Sequence, residues 1–516
     1  MSSAKDRVPR PGEHEEEDMD EMLAADDAAE EVAEANDDGD VAMDSDNEEE
    51  VVLQNDSIAY FDLPPDSLFA IAQHPLHLAL VAVGGSAGPE DNAPGAGWLL
   101  DTAAAPSRPV LPASYASDPA AAAAPRATMT QLASLFALDG HSDSINALCW
   151  TLPRGDVLVS GGLDGRVRAW KVDVRADGAG GDGAQGVAVA LLGEAREVEE
   201  VNWLAACPSP AHPDAIALGA SDGSVWVYAV DPSDPAAPLQ IVQSYFLHTG
   251  SCTAGAWTPD GQLLATVADD SSLYVWDVWG LAAGQGLVGD NGMTAVSLTA
   301  SDQRFEVEGG LYSVAIDPKG AFVAAGGAGG AIKIVSLPRL ASPGSTTSQS
   351  RPQAARGAKG SAADPSTGGQ ILASLHTQGE SVETLAVAVT STSPPTTLVA
   401  AGSVDGSIAV YDANRRFAVR RHIVGAHEDH SVVCLDFVPG SWLLTSCGMD
   451  GVVRRWDLRA GGATGSSAAA DAGLLKEWRG HRGDGEGGGV LGFVQGQTGE
   501  RVVTAGDDGL ALVFEA

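Results

Sequence analysis

Hydrophobic positions along this chain fall into short runs separated by turn residues, and the runs repeat in a fixed grammar. Segment 140–170, GHSDSINALCWTLPRGDVLVSGGLDGRVRAW, shows the unit. An alternating run (INALCW) is followed by a turn, a run of apolar and small residues (VLVSGG), an Asp-Gly turn and a third run ending in an aromatic. Alternation with a period of two predicts a strand with unlike faces, and a short continuous apolar run between turn signals predicts one buried on both. The grammar returns in VNWLAACPSPAHPDAIALGASDGSVWVY (201–228), CTAGAWTPDGQLLATVADDSSLYVWD (252–277) and VVCLDFVPGSWLLTSCGMDGVVRRWD (432–457). A degenerate copy, LYSVAIDPKGAFVAAGGAGGAIKIV, carries Gly329-Gly330 where Asp-Gly is expected, and another begins at SLFAIAQHPLHLALVAVGG (67–85). The turn aspartates are Asp164, Asp222, Asp270, Asp405, Asp450 and Asp508. The chain's 62 glycines and 28 prolines argue against helices.

These Asp-Gly turns, with the Trp-Asp pairs at 276–277 and 456–457 and the Gly-His starts at 140–141 and 480–481, resemble the WD-repeat family. The resemblance implies four-stranded blades around a central channel, an all-β propeller. Eight blades are expected, with seven the alternative if degenerate copies merge. The final copy ends after three runs (VLGFVQG, RVVTAGDD, LALVFEA), which would leave an open sheet edge. An unclaimed strand-like stretch, DSIAYFDL (56–63), precedes the first copy and is expected to fill that place. Segments rich in Gly, Ala, Ser and Pro, at 101–128, 173–187, 281–300, 338–369 and 460–473, read as flexible surface loops.

Charge changes the picture. The formal net charge is −41, and residues 1–50 hold 21 acidic against 3 basic side chains. That composition cannot bury a core, so residues 1–55 are expected to be a disordered acidic tail and 56–516 the propeller. Acidity on this scale disfavours direct contact with nucleic acid or anionic membrane and suits a basic polypeptide. The plainer alternative is that it only maintains solubility. Five widely spaced cysteines without a CxxC pair read as reduced thiols of an intracellular, cytoplasmic protein. No run is long enough to span a membrane, and a monomer is expected.

The stretch EAREVEEVNW (194–203) crowds Glu194, Glu197, Glu199 and Glu200 ahead of a core strand. Placing each blade's first strand by the aliphatic residue five before its last large one gives anchors Leu68, Ile145, Val198, Cys252, Leu311, Val382, Val432 and Gly488. Two or three places earlier lie Asp66, Asp143, Glu308, Glu380, Asp429 and Glu486, and Glu197 directly precedes Val198. One place after the anchors lie Phe69, Asn146, Glu199, Thr253, Tyr312, Glu383 and Val433, expected to face the channel. Seven blades would thus bring a carboxylate to one mouth. Such a ring attracts Arg or Lys side chains, with Phe69 and Tyr312 as apolar or cation–π contacts. Taken singly, any of these acids reads as a solvated turn residue; the case is collective.

Other candidates point to architecture. His141, His427 and His481 are expected to pair with turn aspartates and strand Ser or Thr to lock blades, and their recurrence argues against a hydrolytic triad. GGAGG (326–330) lacks the Lys and the following helix of a phosphate loop. No catalytic residue, metal site or cofactor is expected. Trp456-Asp457-Leu458-Arg459 resembles the WDxR signature of cullin-ligase substrate receptors, which supplies the alternative function.

A closer resemblance is carried by SIAYFDLPPDSLFAIAQHP after the acidic stretch, by EVEEVNWL with ALGASDGSVWVY behind it, and by the ending VVTAGDDGLALVFEA. Together they resemble the fungal Sqt-type ribosome-assembly family, related to angio-associated migratory cell protein. The resemblance implies a dedicated chaperone for the basic N-terminal segment of large-subunit ribosomal protein L10 (uL16), held on an acidic propeller face. Carried over residue by residue, it points to Glu197, Glu199, Glu380 and Glu383.

Overall fold

The computed structural model describes residues 54–90, 93–105, 129–175, 186–341, 368–459, 473–483 and 487–516. The acidic segment up to residue 53, Glu486 and parts of four insertions (106–128, 176–185, 342–367, 460–472) lie outside the described residues.

Eight sheets form, one per repeat, antiparallel throughout except for one short parallel pair in the last. The first comprises Leu68–Gln73, Leu80–Ser86, Gly95–Asp101 and Ser134–His141; six four-stranded sheets follow in chain order. The innermost strands begin at Leu68, Ile145, Val201, Cys252, Leu311, Val382, Val432 and Val490. Each contacts the next around the ring, and the last contacts the first. The fold is an eight-bladed β-propeller. Its apolar side chains collect between neighbouring blades: Val159 and Ala169 of blade 2 pack with Val201 and Leu218 of blade 3, all essentially buried.

Closure follows the expected route. Ala59–Phe61 pairs antiparallel with Ala511–Glu515, Ala59 opposite Val513, and supplies the missing outer strand of blade 8. A two-residue strand, Thr130–Gln131, then covers that strand in parallel, so the fifth position of the sheet is also filled. Insertion 281–300 departs from the loop reading. It holds a short helix, Leu281–Gly284, and Thr294–Leu298, the outermost strand of blade 4.

Turn chemistry explains the recurring Asp-Gly. Gly165 has φ +73°, and a Cβ there would meet the Val198 carbonyl oxygen at 2.1 Å, so conformation and space both select glycine. In blade 4 Ser271 takes the same place at φ +61°. The preceding aspartates anchor the locks. His141 Nδ1 lies 3.1 Å from Asp164 and Nε2 2.9 Å from the Ser160 hydroxyl, which also accepts from Trp170 Nε1 at 3.0 Å. The set recurs with His427, Asp450, Ser446 and Trp456, and with His481, Asp508 and Thr504. His248 forms a fourth lock, with Ser272, Thr266 and Trp276, that the sequence reading missed. These histidines are architectural.

Candidate functional site: the acidic mouth of the channel

One backbone hydrogen bond sets the frame of the mouth in every blade. The residue just before each inner strand offers its carbonyl to a residue entering the second turn: Ser67 to Ser86, Ser144 to Leu163, Glu200 to Ser221, Ser251 to Asp269, Gly310 to Ala328, Ser381 to Val404, Ser431 to Met449 and Gly489 to Asp507. The two loops of each blade are thereby tied together at the rim. This frame corrects two anchors. Blade 3 begins at Val201, not Val198, and blade 8 at Val490, not Gly488. Trp203 was taken for the last large residue of its strand, but the strand runs on through Leu204, Ala205 and Ala206, whose two alanines hide its end.

Glu199 therefore does not occupy the bulged channel position; Asn202 does. Glu199 stands two residues before the strand, as do Asp66, Asp143 and Glu380 in their blades. Glu197 stands four before it, where blades 2 and 4 carry the lock residues His141 and His248, farther out than expected. It is exposed, and its charge helps, after burial, to push the Tyr228 hydroxyl up. Glu308 and Asp429 sit three residues before their strands, exposed.

A second regularity lies one residue inside. Every inner strand has a β-bulge after its first residue, so the second has no direct partner on the neighbouring strand. Bulges re-aim side chains, and here they gather Phe69, Asn146, Asn202, Thr253, Tyr312, Glu383, Val433 and Leu491 into one tier. Several of these stitch blades together. Asn146 donates to the Val201 and Asn202 carbonyls at 3.2 and 3.0 Å, Asn202 to the Cys252 carbonyl at 2.9 Å, and Thr253 to that of Leu311 at 2.7 Å. Glu383 cannot: an ionised carboxylate has no proton to give a carbonyl. Its side chain makes no hydrogen bond or ion pair with any described residue, and burial pushes its carboxyl above the ordinary 4.5. Phe69 is 39% exposed, and the Tyr312 hydroxyl donates to the Gly309 carbonyl.

The frame also adds acids that sequence reasoning overlooked. Asp269 and Asp507 enter the second turns of blades 4 and 8, and their amides bond the residues preceding the inner strands. Asp507 further accepts from the Ser67 hydroxyl at 2.6 Å. The signal was a doubled aspartate, ADDSS and GDDG, at that turn. Glu200 stands directly before Val201. Asp436 of blade 7 lies towards the other end of the channel: it is exposed near the far end of the inner strand, accepts from Gln495 at 3.0 Å, and is pushed up by its enclosed surroundings.

Each blade thus contributes at least one carboxylate beside the channel opening. Among the described residues none of these carboxylates is in an ion pair. Several arginines are engaged elsewhere, Arg454 with Asp450 and Glu477, Arg168 with Glu194, Arg459 with Asp457 and Arg304 with Asp302, while Arg196 stands exposed among the mouth glutamates without an ion pair among the described residues. No cluster of His, Cys, Asp and Glu suited to a metal ion occurs among the described residues, and no helix there is long and apolar enough to cross a membrane.

The WD domain, G-beta repeat family matches residues 132–171, 239–277 and 419–457. Among solved structures the chain is similar to Chaetomium thermophilum Sqt1 crystallised bound to the N-terminus of ribosomal protein L10. The two share 54% identity and a TM-score of 0.73 over 90% of this chain and 100% of that one. It is 30% identical over 285 residues to an uncharacterized WD repeat-containing protein of Schizosaccharomyces pombe, 54% of this chain and 55% of that protein. It is 31% identical over 248 residues to the ribosome assembly protein SQT1 of Saccharomyces cerevisiae, 47% and 46% of the two lengths. The matches span about half the length of these curated relatives, whereas the Chaetomium propeller is matched end to end. With that identity carried around all eight blades, the chain belongs to the Sqt1 family of WD-repeat ribosome-assembly proteins.

Proposed function

We propose that this protein is a cytoplasmic chaperone that holds the basic N-terminal segment of ribosomal protein L10 in the acidic mouth of its propeller, for delivery to the assembling large subunit. The observation that carries the reading is the unpaired state of the mouth carboxylates: among the described residues none of them meets a cation of its own chain. Like charges left without counter-ions cost stability in the empty protein, and a cationic guest relieves that cost on binding. A similar protein, Chaetomium Sqt1, has been crystallised with the L10 N-terminus, which supports the identity of the guest.

Binding on this reading involves no bond making or breaking, and the protein acts as a monomer. Glu199, Glu380, Asp66 and Asp143 form an outer tier that steers the guest and sets the on-rate. Glu308 and Asp429 extend it. Glu383, one tier deeper and partly desolvated although the residue remains exposed, pairs with a single Arg or Lys, and Phe69 and Tyr312 bracket the stem of that side chain. Titration of a fluorescent L10 N-terminal peptide tests this. Glu383→Lys should weaken binding by about 2 kcal/mol or more without lowering the melting temperature. Undiminished affinity would remove Glu383 from the site.

A further inference from the structure

A cavity of about 360 Å³ lies on the outer side of the ring between blades 3 and 4. Gln243 and Tyr245, on the outermost strand of blade 3 (Leu239–Tyr245), form one wall. Asp277, at the end of the third strand of blade 4 (Leu273–Asp277), forms another with Trp279 and Met293. Two polar atoms in this lining have no partner among the described residues, the Tyr245 hydroxyl and Asp277 Oδ1. Both side chains are deeply buried, Tyr245 2% exposed and Asp277 6%. The other Asp277 oxygen accepts only the Ala283 amide, at 2.7 Å. A buried carboxylate with one backbone hydrogen bond and no counter-ion is an unfavourable arrangement.

Asp101 of blade 1, opposite Leu80 at the same register, also lacks an ion pair among the described residues but is only half-buried; two other sister positions carry a cation. Asp412 and Asp457 close the third strands of blades 6 and 7 at the same register, opposite Leu398 and Leu443 as Asp277 is opposite Leu263. Each has a cation from its own chain two or three residues on: Arg415 for Asp412, at 3.6 Å, and Arg459 for Asp457, at 2.5 Å. Blade 4 carries Trp279 and Gly280 there instead. The blade keeps the acid, omits the arginine and opens a cavity.

We propose that this cavity binds a guanidinium or primary ammonium group from outside the chain, with Asp277 as counter-ion and Tyr245 and Gln243 as hydrogen-bond partners. A free diamine and an arginine or lysine side chain of a peptide share this chemistry. The site is independent of the channel mouth and of the guest proposed for it.

Methionine-methyl NMR on the full chain tests it, because Met293 lines the cavity and the protein has seven methionines. The Met293 signal is assigned with Met293→Leu. Agmatine in one arm and a short acetylated, amidated arginine peptide in the other should each move the Met293 methyl to saturation, and the arm saturating at lower concentration identifies the source. Asp277→Asn, which can still accept the Ala283 amide, should weaken the response at least about tenfold. Tyr245→Phe should weaken it less, and Glu383→Gln should leave it unchanged. A Met293 signal that stays still in both arms, or one that moves equally in Asp277→Asn protein with its other methionine signals intact, overturns the proposal.

Discussion

The aspartates of the locks and the acids of the mouth are the same chemistry in opposite settings. Asp450 accepts from His427 at 2.9 Å and faces Arg454, and those interactions overcome burial to hold its carboxyl down to about 2. Glu383 is offered no donor and is pushed up by burial alone. The first carboxylate is stabilised by the fold; the second is a cost the fold bears. A paired acid reports on architecture, and an acid whose complement is absent from its own chain reports on a partner.

Removing a lock should have the largest effect. Asp450→Ala removes the Nδ1 partner of buried His427 and leaves buried Arg454 with Glu477 as its one acid, and should destabilise the propeller by about 3 kcal/mol or more in urea unfolding. Peptide affinity of the folded fraction should be retained; a parallel loss of both would mean the two regions are not separable. Ionic strength should come next. Raising salt from a low level to well above physiological should lower peptide affinity by at least about tenfold, while the urea midpoint hardly moves.

Acid should act on the two regions with opposite sign. Burial lowers His141, His248 and His427, His248 to about 4, so the unfolded chain takes up protons at the ordinary 6.5 before the locks do. Lock stability is complete above 6.5 and is lost as pH falls towards 4. Glu383 protonates above 4.5, so its own contribution to stability improves on acidification while peptide affinity falls. Affinity whose pH profile is identical in wild type and Glu383→Gln would refute that assignment. The smallest effect should be on the empty protein: Glu383→Gln removes one unpaired charge and should stabilise it by about 0.5 kcal/mol, visible as a small rise in melting temperature.

Much of this was legible in the chain. Three of the histidine locks, the use of 56–63 to close the ring and the blade count all followed from spacing, because each is a local pattern repeated with the same turn chemistry. His248 escaped because its copy begins LHTG, without the Gly-His start. Blade 3 went out of frame because strand ends were judged by large residues, and Ala205 and Ala206 are small; in blade 8 Phe493 was taken for the end of a strand that runs on to Val494. Glu199 and Glu197 were assigned to the mouth but at the wrong depth for that reason. Asp269 and Asp507 were missed because they lie in a different loop from the other acids, 17 residues after the inner strand starts, and only the cross-loop hydrogen bond brings them to the rim.

The sequence by itself determined the blades, since strand periodicity and turn residues are encoded within a few neighbouring positions. It also determined that acids outnumber bases near the strand starts. Which of those acids keep a partner was decided only by the closed ring. Ion pairing depends on which residues the fold brings within reach, and closing eight blades brings carboxylates to the rim while the arginines that form ion pairs do so with other acids. The empty counter-ion position beside Asp277 belongs to the same class of fact: the missing arginine is visible in the chain, but the cavity it leaves exists only where two blades meet.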